Sequence, residues 1–182
     1  MNYVDPIRDS KKVEDISIYL RKGSERNYIM FVLGINSGLR ISDILKLRVK
    51  DIKNKEYINL REKKTGKQRI FPLNPFVKKE LKNYCEEREM NEYLIMSRQN
   101  KNTPLSRQMA YIIIREAGES QGIGNLGTHS MRKTFGYHFY KQFKDIVTLQ
   151  KIFNHADPSI TLQYIGIEQS AINTKIKNFK IY

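Results

Sequence analysis

The sequence predicts an α+β chain that is mainly helical, with one small antiparallel hairpin at its side. Three observations carry that expectation. Apolar residues recur at helical spacing over most of the chain. Only one stretch, between Val49 and Asn74, is rich in β-formers with a glycine turn between two short runs. No repeat or low-complexity linker divides the 182 residues, which suits a single domain with its own core.

The elements follow in order. Val13, Ile16, Tyr19 and Leu20 mark a helix over residues 11–22, ended by Gly23 and Ser24. Tyr28, Phe31, Val32 and Ile35 mark a second. SGLR is a turn, and ISDILKL a short helix after it. YINLR and QRIFPL read as two strands joined by EKKTGK. Asn74-Pro75 is a cap and first turn for a helix running to about Glu89. YLIM is one more strand or an extended segment, and RQNKNTP a polar loop. Ser106 caps a helix through about Ser120. The glycine-rich QGIGNLGTH leads into a helix from about Ser130 to Gln142, another near 146–153, and one beginning at Asp157-Pro158. The tail IEQSAINTKIKNF is expected to close the chain as a short helix.

Lys and Arg number 33 against 19 Asp and Glu, a formal net charge of +14. Such an excess favours a polyanionic partner, nucleic acid before an anionic membrane surface. No apolar run approaches the ~20 residues a membrane span needs, and the N-terminus has no signal-peptide core. The single cysteine, Cys85, excludes an internal disulfide and fits a buried thiol in a reducing, cytoplasmic setting. His129, His138 and His155 lack metal-ligand spacing, so neither a metal nor a cofactor is expected.

Four segments carry residues suited to chemistry on a phosphate. In GLRISDIL, Arg40 and Asp43 are three apart and share a helix face; alone, that is most simply a surface ion pair. The hairpin tip carries five basic residues between Arg61 and Arg69, against one acid. In isolation that is a solvated loop; otherwise it reaches a DNA groove or places an ammonium on a leaving oxygen. In THSMRKTF, His129 and Arg132 are again three apart, at a helix start whose N–H groups favour an anion. In IFNHADPSITLQYI, Tyr164 follows His155 by nine residues. Ile160, Tyr164 and Ile167 at helical spacing offer the alternative of a core aromatic.

Taken together and in this order, the segments closely resemble the tyrosine recombinases, the phage-integrase family, over about residues 25–170. The resemblance implies a DNA strand transferase working through a covalent 3′-phosphotyrosine. It matches Arg40 and Arg132 to the two phosphate-clamping arginines and Asp43 to the supporting acid. Lys64, the Lys before Thr-Gly, matches the hairpin general acid. His129 belongs to the His-x-x-Arg pair, His155 stands at the position filled by His or Trp, and Tyr164 is the nucleophile. Lys63, Lys67 and Arg69 are expected to touch DNA. Double-stranded DNA is the implied partner, with four subunits assembling on it. The tail 167–182 is a candidate docking segment, with packing on its own domain as the alternative. Residues 1–24 read as a lead-in helix, too short for the additional N-terminal DNA-binding domain that most family members carry. Two readings compete: a DNA-binding protein that keeps the fold without catalysis, and a type IB topoisomerase-like relaxing activity that shares the chemistry.

Overall fold

The computed structural model describes residues 4–61, 66, 68–99, 101–167 and 176–181. Helix α1 (Ser10–Gly23) starts behind Asp9, whose carboxylate accepts the Lys11 N–H at 2.8 Å. Ile16 and Leu20 are buried, whereas Tyr19, on the predicted stripe, stays 43% exposed. Helix α2 (Glu25–Ser37) is buried along nearly its whole middle, from Tyr28 to Gly34. An apolar face that wide belongs to a central helix. α2 stops at Gly38, whose φ of +63° is left-handed and whose missing side chain leaves room for the Phe135 ring. A single helical turn, α3 (Ile41–Ile44), follows.

Strands β1 (Tyr57–Arg61) and β2 (Gln68–Pro72) pair antiparallel, with Tyr57 opposite Pro72 and Arg61 opposite Gln68. Ile58 and Phe71 face the core, while Tyr57 and Ile70 face out, the period-two pattern of a half-buried hairpin. Lys63, Lys64 and Lys67 lie outside the described residues; Arg69 is placed only by its backbone, opposite Leu60.

Helix α4 (Pro75–Cys85) is capped by the Asn74 side chain, which accepts the Val77 N–H at 2.8 Å. It ends before Glu89, earlier than its sequence suggests. Arg88 explains the early end: its guanidinium donates to Glu92 at 2.9 Å and to the carbonyls of Tyr93 and Leu94 at 2.8 Å, turning the chain back. YLIM is extended rather than a ladder strand. It forms single bridges to Arg48 and Pro104 at its edges, and buries Leu94 and Ile95 side by side. Cys85 is fully buried.

Helix α5 (Arg107–Glu119) is capped by Ser106. Helix α6 (Thr128–Phe143) begins two residues earlier than expected, because Ser130 exchanges hydrogen bonds with Gly127: the Ser130 amide donates to the Gly127 carbonyl at 2.9 Å, and the Gly127 amide donates to the Ser130 hydroxyl at 3.2 Å. Helices α7 (Ile146–Phe153) and α8 (Pro158–Tyr164) start at Asp145 and Asp157, each accepting from a backbone N–H of its helix. Of the tail, residues 168–175 and 182 lie outside the described residues, and Ile176, Phe179 and Ile181 are strongly exposed. Among the described residues, no helix is long and apolar enough to cross a membrane.

Two apolar cores result. The larger gathers α1 to α5, the hairpin and Met131 of α6. The smaller consists of buried Leu149, Phe153 and Ile165, with Phe135, Tyr137 and Phe139 of α6 packed against it. α6 therefore runs between both.

Candidate active site

Arg132 lies on α6 and is only 3% exposed. One of its terminal nitrogens donates to the Gly38 carbonyl and the other to the Phe153 carbonyl at 3.0 Å. Its guanidinium carbon sits 4.3 Å from the centre of the Phe153 ring. A guanidinium suits this place because it offers five donors and keeps its charge when buried. The side chain therefore ties the turn after α2 to the end of α7. Arg132 is therefore not a surface arginine.

Arg40 occupies the cap position of α3 in an extended conformation, so it precedes that helix rather than lying inside it. It is half-buried, and its carbonyl accepts the Asp43 N–H at 2.8 Å. Asp43 itself is buried, which rules out a surface ion pair.

Tyr164 is the last residue of α8 and is half-buried. Burial pushes its phenol pKa up; the charge of Arg132, the charge of Arg40 and a hydrogen bond with Arg132 all pull the other way. The charges of two guanidiniums 92 positions apart in the chain are thus both felt at one hydroxyl. Charge brought to one atom from two sides of the fold is what an attacked phosphate requires.

His155 follows α7 at a turn opened by Asn154, whose φ is +54°. Its backbone N–H donates to Gln150 O at 3.1 Å, and the Gln150 side chain returns a bond to its carbonyl. Nδ1 lies 3.0 Å from the hydroxyl of Thr161, which is fully buried. These contacts hold the ring edge-on to Tyr164, centroids 5.2 Å apart. Phe153 meets Tyr164 in the same way at 5.4 Å. His129 occupies the first turn of α6, three positions before Arg132, and is exposed.

Three features escape a sequence reading. Thr161 orients His155; its place three residues before Tyr164 on one helix face was the available signal. Gly136 lets α6 approach α8: a Cβ there would lie 2.7 Å from both Ile165 and Phe153. The N-terminal strap, Asp5 to Arg8, binds both sides of the site. Ile7 N–H donates to Thr134 at 2.8 Å, His138 Nε2 lies 2.9 Å from Ile7 O, and Arg8 donates to Gly166 O at 3.0 Å, two residues beyond Tyr164.

The phage integrase family model matches residues 9–170. The chain belongs to that family. Over 179 residues it is 45% identical to the probable integrase/recombinase YoeC of Bacillus subtilis (strain 168), covering 98% of each chain. It is 26% identical to the tyrosine recombinase XerA of Pyrococcus horikoshii over 86% of this chain but 55% of that protein, so it spans about half of that relative. Among solved structures, a XerA recombinase superposes with a TM-score of 0.78 at 22% identity, covering 99% of this chain and 67% of that one. XerH, solved with its difH substrate after cleavage, gives 0.73 at 20% identity, over 97% of this chain and 54% of that one. The chain is a tyrosine-type site-specific recombinase, and its fold is that of the recombinase catalytic domain.

Proposed function

We propose that Tyr164 attacks a DNA phosphodiester and carries the cut strand as a 3′-phosphotyrosine. The observation that supports this most directly is the placement of the Tyr164 phenol under the influence of both Arg132 and Arg40. A phenol of pKa near 10 is ionised in only about one molecule in a thousand at pH 7, so the phenolate costs roughly 4 kcal/mol. Burial raises that cost further, and the charges of Arg132 and Arg40 offset part of the rise. Their guanidiniums also clamp the non-bridging oxygens, where negative charge grows in the transition state. In the reaction, the bond from Tyr164 Oη to phosphorus forms and the bond from phosphorus to the 5′ oxygen breaks. The leaving oxygen takes a proton, which we assign to Lys64 on the hairpin. His155 donates to the phosphate, and His129 assists phosphate binding and proton transfer. Asp43 supports the Arg40 turn. The 5′ hydroxyl of a partner strand then reverses the step, and the covalent link conserves the energy of the broken bond.

Double-stranded DNA is the partner that the net charge of +14 suits; XerH, a fold neighbour, was solved on DNA. Lys63, Lys67 and Arg69 extend the contact along the hairpin. We assign the tail after Ile167 to docking on a neighbouring subunit in a DNA-bound tetramer, in the cytoplasm. Incubation with a nicked suicide substrate should give a denaturant-resistant protein–DNA adduct. Tyr164→Phe should lose the adduct and keep salt-sensitive DNA binding. An undiminished adduct in that variant would move the nucleophile elsewhere, and relaxation of arbitrary supercoiled plasmid would point to a topoisomerase instead.

A further inference from the structure

Lys133 follows Arg132 on α6 and is only 5% exposed. Lysine is among the residues least often buried, because an ammonium loses its hydration there. A methionine would fill such a site without that penalty. Two neighbours give the charge a place. Its Nζ lies 5.2 Å from the centre of the Tyr164 ring, within the range of a cation–π contact. Asp5, on the N-terminal strap, supplies an opposite charge. Burial lowers the ammonium's pKa and Asp5 raises it again.

We propose that Lys133 is a positioning residue for the nucleophile, its ammonium held over the Tyr164 ring so that the ring is oriented and its phenolate form favoured. The inference rests on Tyr164 being the nucleophile. A phenolate spreads its charge into the ring carbons, so a cation beside the ring attracts phenolate more strongly than phenol. Among the described residues, the other charged or titratable groups near the hydroxyl include Arg132 on α6, Arg40 before α3 and His155 after α7. Arg8 reaches the Gly166 carbonyl behind it and lies 5.6 Å from the centre of the Tyr137 ring. Lys133 thus acts on the attacking oxygen, whereas the hairpin lysine is assigned to the leaving one.

The test is single-turnover adduct formation on the suicide substrate between about pH 6 and pH 11, a window that spans the ordinary His and Tyr values. Lys133→Met and Lys133→Gln are neutral and of similar length. Thermal unfolding and DNA binding identify which of them is folded. The expected result at pH 7 is a loss of roughly 3- to 30-fold. The deficit should stay constant while Tyr164 is mostly protonated and narrow only as pH approaches the phenol's pKa, which burial raises above the ordinary value near 10. Lys133→Arg should retain most of the rate. A substrate with a 5′-bridging sulfur has a leaving group that departs without a proton, since thiols ionise near pH 8.5. The Lys133 deficit should persist on it. Four outcomes overturn the proposal: wild-type rates in the neutral variants, a deficit undiminished where the parent's pH–rate profile levels off, rescue by the bridging sulfur, or failure of both neutral variants to fold. Tyr164→Phe in the same assay separates this from the nucleophile assignment. If that variant still forms adduct, the assignment itself falls; if it is dead and Lys133→Met is not impaired, only the lysine's role does.

Discussion

Arg40 stands on the large core built by α1 to α5, whereas Tyr164 rests on the small one of Leu149, Phe153 and Ile165. The two halves of the site differ accordingly in what holds them. Around Arg40, the turn is fixed by Leu39, Ile41 and Ile44, all buried, and by the left-handed Gly38. Around Tyr164, a seven-residue helix is held by a few aromatic contacts, the Asp157 cap and the strap that reaches Gly166. A segment with so little buried apolar surface lies at the low-stability end of its domain. Reaction geometry therefore depends on the ties between the cores, among them Arg132 and the Phe135 ring against Gly38, and on the close approach at Gly136. Clamp and nucleophile are kept in register by few atoms, and single substitutions can separate the two properties.

Arg132→Lys should have the largest effect. A lysine cannot donate to the Gly38 and Phe153 carbonyls together and still face Tyr164. Single-turnover cleavage is expected to fall by about 100- to 1,000-fold. Stability measured by denaturant unfolding should fall by about 1–3 kcal/mol, the cost of leaving a buried acceptor unpaired. An active Arg132→Lys enzyme would mean that the cores are held together elsewhere. Gly136→Ala comes next. Its Cβ would press on Ile165 and Phe153 from 2.7 Å, an overpacking cost of about 1–3 kcal/mol. Tyr164 neighbours Ile165, so cleavage should fall roughly tenfold, since a displacement near 1 Å can cost up to ~100-fold. DNA affinity should not change. Gly23→Ala is the control, because nothing lies within 4 Å of its Cβ. It should match the parent or gain up to about 1 kcal/mol.

The same contrast explains what was legible in the residues. GLRISDIL, THSMRKTF and IFNHADPSITLQYI lie on helices or their caps, where spacing and capping rules place side chains locally, and those segments do meet around Arg132, which bonds to Gly38 and Phe153. Burial within α6 was not legible. Ser130, Met131, Arg132, Lys133 and Thr134 are all buried, so the helix shows no apolar stripe where it carries the site. Hydrophobic periodicity is silent about a helix wedged between two cores, and Lys133 reads in sequence as solvent-facing. Leu94 and Ile95 fail for a related reason: adjacent buried residues belong to neither a period of two nor one of 3.6. The strap has no periodicity at all, because its grip comes from one amide, one carbonyl and one guanidinium bound to distant partners. The early end of α4 was set by Arg88 reaching forward to carbonyls that no local rule connects to it.

The smallest expected effect probes that strap. Arg8 is exposed, and its bond to the Gly166 carbonyl falls on a residue with φ of +72°, just past the nucleophile. Removing an exposed side chain should leave stability within about 0.5 kcal/mol. Losing one hydrogen bond of about 0.5–1.5 kcal/mol at the end of α8 should lower cleavage by roughly 2- to 10-fold. Ile7→Ala acts differently. Ile7 is 3% exposed and belongs to the large core, so about 2–5 kcal/mol of stability should be lost. Arg8→Ala therefore loosens the small core without touching the large one, and the cleavage rate read beside the unfolding midpoint tells the two apart. If Arg8→Ala cleaves like its parent, the aromatic contacts and the Asp157 cap suffice to place Tyr164. If it falls as far as Gly136→Ala, the nucleophile's helix depends on the chain's first residues as much as on its own packing.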